Sequence, residues 1–141
     1  MGQKVNPVGL RLGINRGWES VWYAKKKNFG NYLIEDYKIR EYIKKNVVNS
    51  GVSKVMIERT SKNWFVRIYT SRPGFVNGKK GSDIEKIKNK LSNLTENEVA
   101  LNIKEVKKPE TNSYWVAENI AQQLVKRISY RRAMKRAMQS A

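Results

Sequence analysis

Hydrophobic and polar residues recur along the chain with two different periods, and the switches between them mark out the elements. Over about 31–48, Ile39, Tyr42, Ile43 and Val47 stand at helical spacing with Lys38, Arg40, Glu41, Lys44 and Lys45 on the other positions, which predicts an amphipathic helix. Asn49-Ser50-Gly51 ends it, because Gly51 can take the left-handed conformation that closes a helix. The period then falls to two. Val55 and Ile57 within 52–58, and Trp64, Val66 and Ile68 within 64–70, predict two strands, and the polar Thr60-Ser61-Lys62-Asn63 between them makes the pair a hairpin. Ser82-Asp83-Ile84-Glu85 has the form of a capping box, behind which Ile84, Ile87, Leu91 and Leu94 form the apolar stripe of a second helix. A third strand alternates through Val99, Leu101 and Ile103, and Pro109 ends the unit.

The flanks behave differently. The first seventeen residues place Gly2, Gly9, Gly13, Gly17 and Pro7 among Lys4, Arg11 and Arg16 and sustain neither period, so an extended basic arm is expected. Val8, Leu10, Leu12 and Ile14 do alternate, which suits an arm lying along a partner's groove. Past Pro109, the positions of Val116, Ala117, Ile120, Ala121, Leu124 and Ile128 predict a helix from near 113 to near 129. The pattern is again helical over 130–141, with Arg131 and Lys135, and Arg132 and Arg136, stacked at i, i+4 and Met134, Met138 and Ala141 on the other side. Like charges at that spacing weaken a helix too short to stand alone, and such an apolar face needs something to pack on. The segment is therefore expected to open a second domain of a longer polypeptide. The chain divides into a basic arm (1–30), an α+β domain (31–109, core 39–107), and a linking helix with the start of a truncated C-terminal domain (110–141).

Composition narrows the chemistry. The 141 residues include 29 Lys and Arg against 12 Asp and Glu, for a formal charge of +17, and neither His nor Cys. That removes imidazole and thiolate metal ligation, disulfides, and Ser-His or Cys-His nucleophilic pairs, so no catalytic residue, metal ligand or cofactor is expected. Carboxylate neighbours such as Glu35-Asp36, Asp83-Glu85 and Glu96-Glu98 read more readily as caps and ion pairs than as an acid–base site. No apolar run approaches the roughly 20 residues of a membrane span, and the N-terminus lacks a signal peptide, which suggests the cytosol or the matrix side of an organelle that makes its own proteins. A charge of +17 exceeds the magnitude of about 2 to 8 that solubility asks of a small domain. It calls for a polyanion, with nucleic acid phosphate first and an anionic membrane surface second.

The loop Arg72-Pro73-Gly74-Phe75-Val76-Asn77-Gly78-Lys79-Lys80-Gly81 concentrates that chemistry. It is not a nucleotide-binding P-loop, since three residues rather than four separate Gly74 from Gly78 and no Ser or Thr follows Lys79. It does fit a Gly-x-x-Gly clamp set between a short helix and a capped one. Gly78 and Gly81 let the backbone approach a sugar-phosphate chain, Lys79 and Lys80 supply charge, and the amides opening the next helix point at the anion. Trp64, Phe65, Tyr69 and Phe75 are candidate stacking platforms, although aromatics at strand spacing are more often core or sheet surface.

Arg72-Pro-Gly74 leading to Gly78-Lys-Lys-Gly81 and Ile84-Glu85 resembles a type II KH domain. Together with Gly2-Gln-Lys-Val-Asn-Pro7, Gly9-Leu-Arg-Leu-Gly13 and Arg131-Arg-Ala-Met-Lys-Arg136, it is similar to the family of third proteins of the bacterial-type small ribosomal subunit, over essentially the whole chain. The resemblance implies a non-enzymatic protein of the subunit head that binds small-subunit rRNA and helps form the channel through which mRNA enters. Implied neighbours are the tenth and fourteenth head proteins, with no membrane and no small-molecule substrate. By the same resemblance Arg131, Arg132 and Lys135, with Arg136 in their motif, match the residues facing incoming mRNA, and the 78–81 loop matches the clamp. Arg72, Lys4, Arg11 and Arg16 would neutralise phosphates. Asn77 departs from the family, which carries an apolar residue packed beneath the loop at that position. A free-standing regulatory RNA-binding module and a carboxylate-dependent nuclease are the rival readings.

Overall fold

A computed structural model describes residues 2–47, 50–60, 63–78, 82–95 and 97–141. In chain order the elements are α1 (Pro7–Arg11), β1 (Ser20–Val21), α2 (Lys26–Asn46), β2 (Val52–Arg59), β3 (Trp64–Thr70), α3 (Pro73–Asn77), α4 (Ser82–Thr95), β4 (Val99–Glu105), α5 (Ser113–Val125) and α6 (Tyr130–Ser140). From α2 to β4 the order is helix, hairpin, helix, helix, strand, as expected of a type II KH domain. The sheet runs β1-β2-β3-β4, with β2 and β3 antiparallel and each outer strand parallel to its neighbour. Registers such as Ile57↔Val66 and Val66↔Leu101 align the apolar positions of three strands on one face.

That face carries the core. In β3, Trp64, Val66, Ile68 and Thr70 are buried and alternate with half-buried Phe65, Arg67 and Tyr69. Against them pack Ile39 and Ile43 from α2, Val47 just past its end, Ile87 and Leu91 from α4, and Val76 from α3. Each fully buried aliphatic side chain contributes roughly 1.5–3 kcal/mol. Leu94, expected in the α4 stripe, turns outward and is exposed.

Several boundaries differ from the periodicity. Helix α2 starts at Lys26, ahead of the expected 31, with no side-chain cap at Lys25. Gly30 and Asn31 are poor helix formers, yet the first turn is held from outside by Trp22 against Phe29, 5.3 Å between ring centroids. Val47 caps its C-terminus, and Val48 and Asn49 lie outside the described residues. Gly51 does have positive φ (62°), but its task is close packing: a Cβ there would stand 2.8 Å from Trp115 Nε1. The hairpin turn is closed by Thr60 N donating to Asn63 O (3.0 Å), with Ser61 and Lys62 outside the described set. So is the Ser82 side chain, half of the expected capping box.

The arm is not wholly extended. Asn6 Oδ1 accepts from Val8 N (2.9 Å), Pro7 takes the first helical position, and α1 forms. A turn through Gly13 (φ 78°) then brings Leu12 beside Arg16. Farther along, Ser20 and Val21 add β1 to the sheet edge, a two-residue strand with no periodicity to announce it. Helix α5 stops at Val125 rather than near 129, since Arg127 adopts φ 60° and the chain turns into α6.

One buried polar cluster ties these parts together. Arg59, at the end of β2, donates from Nε to Asp36 Oδ1 (3.1 Å), from Nη1 to Glu35 (2.9 Å) and from Nη2 to Tyr32 O (2.8 Å) and to Asp36. Its guanidinium lies 3.7 Å from the Trp64 ring centroid and 4.5 Å from that of Tyr32. Trp22 Nε1 donates to the other Asp36 oxygen (2.8 Å), so the segment after β1 is pinned to α2. Among the described residues, no helix is long and apolar enough to cross a membrane.

Candidate nucleic-acid interface

The loop is built from the end of β3. Thr70, fully buried, donates its hydroxyl to Ser50 O and accepts from Arg72 N (3.1 Å), which fixes the exit of the strand. Arg72 precedes α3 and Pro73 takes the first helical position. The Arg72 side chain is exposed, its guanidinium 5.9 Å from the ring centroid of Phe75, which is also exposed. Val76 is buried and anchors α3 to the core, whereas Asn77 is exposed on the last turn. Val76, not Asn77, is thus the residue of this turn that packs into the core.

Gly78 has φ 65°, and its amide donates to Gly74 O (3.2 Å). A Cβ there would lie 2.6 Å from Asp83 Cγ, so the position excludes a side chain on two grounds, backbone conformation and space. Asp83 and Glu85 both stand in the first turn of α4. The chain's own carboxylate therefore sits at the helix N-terminus where an incoming phosphate was expected. Lys79, Lys80 and Gly81 themselves lie outside the described residues.

The remaining candidates form two further groups. Arg11 and Arg16 meet beside Ser113, at the start of α5, around a recess of about 320 Å³, while Lys4 stands apart on the exposed arm. On α6, Ala133 is fully buried against its surroundings and Arg131, Arg132, Lys135 and Arg136 are exposed. Arg131 Nε donates to Tyr130 OH (3.2 Å), and Arg136 instead lines a groove with Trp115 and Lys126. Met134 and Met138, on the other side of α6, are exposed rather than packed. Lys126 and Arg127, both exposed at the α5–α6 turn, extend this basic region. A count of cations over 126–136 would have found them; the helix pattern hid them by running through the turn.

Among the described residues, the cations in ion pairs are Arg40, Lys45, Arg59, Arg67 and Lys86, and none of the candidate RNA-contact residues is among them. The aromatic candidates separate by face. Trp64 is buried with Arg59 against its ring and offers no surface to a base. Phe65 and Tyr69 lie half-buried on the opposite sheet face, where Tyr69 stands between Lys54 and Lys104 in register.

The profile of the KH domain family matches residues 38–111. The small ribosomal subunit protein uS3 of Pelagibacter ubique is 86% identical over 140 residues, which cover 99% of this chain and 62% of that protein. Those of Ruegeria pomeroyi and Parvibaculum lavamentivorans are 55% and 57% identical over 141 residues, all of this chain and 60% of each relative. The chain thus spans about three fifths of the length of the curated relatives it matches.

Proposed function

The chain belongs to the KH domain family, within the group of small ribosomal subunit uS3 proteins, and from that premise we propose that it is a non-catalytic RNA-binding constituent of the small ribosomal subunit. Its KH unit, 31–109, holds rRNA in the subunit head. The arm, through Lys4, Arg11 and Arg16, neutralises phosphates, and the α6 face of Arg131, Arg132, Lys135 and Arg136 guides mRNA where it enters. The tenth and fourteenth head proteins are its neighbours, and the bacterial cytoplasm, as part of the ribosome, is its place of work.

The observation that carries this reading is Gly78, held at positive φ with no room for a Cβ, at the mouth of the lysine loop inside the span that the KH profile covers. A backbone that close to the surface, with ammonium groups beside it, grips a ribose-phosphate chain and does nothing to cut it. Substitution of Lys79 and Lys80 by Asp tests it: RNA affinity should fall at least tenfold with the circular dichroism spectrum unchanged. Intact affinity would remove the clamp assignment. On a sucrose gradient the protein should travel with small subunits in stoichiometric amount. A protein found mostly at the top of the gradient is the free-standing regulator instead.

A further inference from the structure

We propose that the side of α5 bearing Asn119, Gln122, Gln123 and Lys126 is a second RNA-contact surface, a polar track that leads one single strand between Arg72, at the head of the KH loop, and Arg136 on α6. The proposal rests on the RNA-binding reading above and adds to it a route and a way of reading bases.

Two cavities define the track. One, of about 270 Å³, is lined by Ser71 and Arg72 on one wall and Asn119, Gln122 and Lys126 on the other. The next, of about 470 Å³, lies between α5 and α6 and is lined by Gln123 and Arg136. Trp115, Asn119 and Lys126 line both, so the two compartments adjoin along α5.

The sequence of α5 makes this face unusual. Residues 119, 122, 123 and 126 have the i, i+3, i+4, i+7 spacing at which a helix ordinarily presents its apolar stripe to a core. Here those positions hold three amides and a lysine, while Leu124 and Val125 are 45% and 84% exposed. Asn119 and Gln123 are half-buried, while Gln122 and Lys126 are exposed along the same side.

Their hydrogen bonding is incomplete. Gln123 Nε2 donates to Asn119 Oδ1 (2.8 Å), but Gln123 Oε1 is buried with no partner among the described residues. A buried acceptor left open is a cost that the fold ordinarily avoids. Turned into the groove that this half-buried side chain lines, Oε1 would gain the N–H donors of base edges, and side-chain amides are well suited to pair with bases, offering donor and acceptor together. Arg72, Lys126 and Arg136 supply charge along the route for phosphates. Glu110 and Glu118 also line the walls and accept from base amino groups rather than phosphate. Such mixed walls disfavour a duplex, which presents phosphates outward, and favour a single strand with its bases turned in.

The test uses the full chain and a fluorescein-labelled, mixed-sequence RNA 20-mer, single-stranded or annealed to its complement, titrated by anisotropy at several KCl concentrations. Asn119→Ala/Gln123→Ala should weaken single-strand binding about tenfold without changing the slope of log K against log salt, because amides release no counterions. Gln122→Ala/Lys126→Gln, confined to two exposed positions, should weaken it with a slope shallower by about 0.7, the loss of one phosphate contact. Duplex affinity should move in neither. Should the first variant unfold by circular dichroism, the second decides alone. Wild-type single-strand affinity in these variants, alongside a large loss in Lys79→Asp/Lys80→Asp, overturns the track and leaves the KH clamp standing. Equal losses for duplex and single strand also overturn it. Failure of the wild-type chain to bind either RNA would instead overturn the RNA-binding reading on which the track depends.

Discussion

Arg59 shows how much one side chain can determine. Its side chain is 4% exposed, as is that of Asp36, so both charges have left water and each depends on the other. The planar guanidinium serves two carboxylates and a carbonyl in its own plane while presenting its faces to Trp64 and Tyr32, an arrangement that lysine has neither the donors nor the flatness to reproduce. Removing one partner of such a pair strands the other, at about 3–5 kcal/mol. Arg59→Met should therefore lower the urea-denaturation stability by that amount. RNA affinity, measured where the variant is still folded, should stay within about twofold of wild type, since Arg59 is enclosed by the chain. A stability change under 1 kcal/mol would show that the cluster breaks even against an apolar replacement.

At the scale of elements, the junction of α5 and α6 decides where the basic face points. Arg127 N donates to Leu124 O (2.9 Å) and Ile128 N to Gln123 O (3.1 Å), the two bonds of a Schellman ending, with Arg127 at φ 60° where glycine is usual. An L residue in that conformation costs roughly 1–2 kcal/mol. Arg127→Gly is expected to raise thermal stability by about 1 kcal/mol, once the greater flexibility of glycine in the unfolded chain is counted. A lower melting temperature would mean that the Arg127 stem packs well enough to outweigh the strain. The same junction explains why the helix pattern overran it. Ile128 continues the apolar spacing of α5, and no Gly, Asn or Pro marks the turn.

Over the whole molecule the sign of the charge sets two opposite responses to salt. The 29 cations outnumber the 12 carboxylates by 17, and the compact state gathers their mutual repulsion. With a screening length of about 10 Å at 0.1 M, added KCl relieves that repulsion and also displaces RNA. Raising KCl from low to moderate concentration should thus raise the melting temperature of the free chain while log K for RNA falls. A melting temperature that drops with salt would show that the ion pairs around Arg59 and Arg67 outweigh the net charge.

The residues on their own determined the succession of helix, hairpin, short helix, helix and strand, because each apolar stripe repeats with the period of one element and is bounded by residues that stop it. Charge and the absence of His and Cys also narrowed the chemistry expected of a partner to that of a polyanion. The short helix of the arm was missed, because no period marks five residues; its signal was Asn6-Pro7, a cap followed by a first-turn proline. What only the tertiary structure decided are the features that lack local energy of their own. The early start of α2 depends on Trp22, the left-handed turn at Arg127 on the return of α6 against α5, and the two residues of β1 on a strand edge distant in sequence. Nor can spacing show that the amides of α5 face Arg72 and Arg136, since these residues come from three separate elements that meet only when the chain folds. Periodicity reports how a segment divides between core and water; which segments then share a wall is settled by packing over distances the local pattern does not contain.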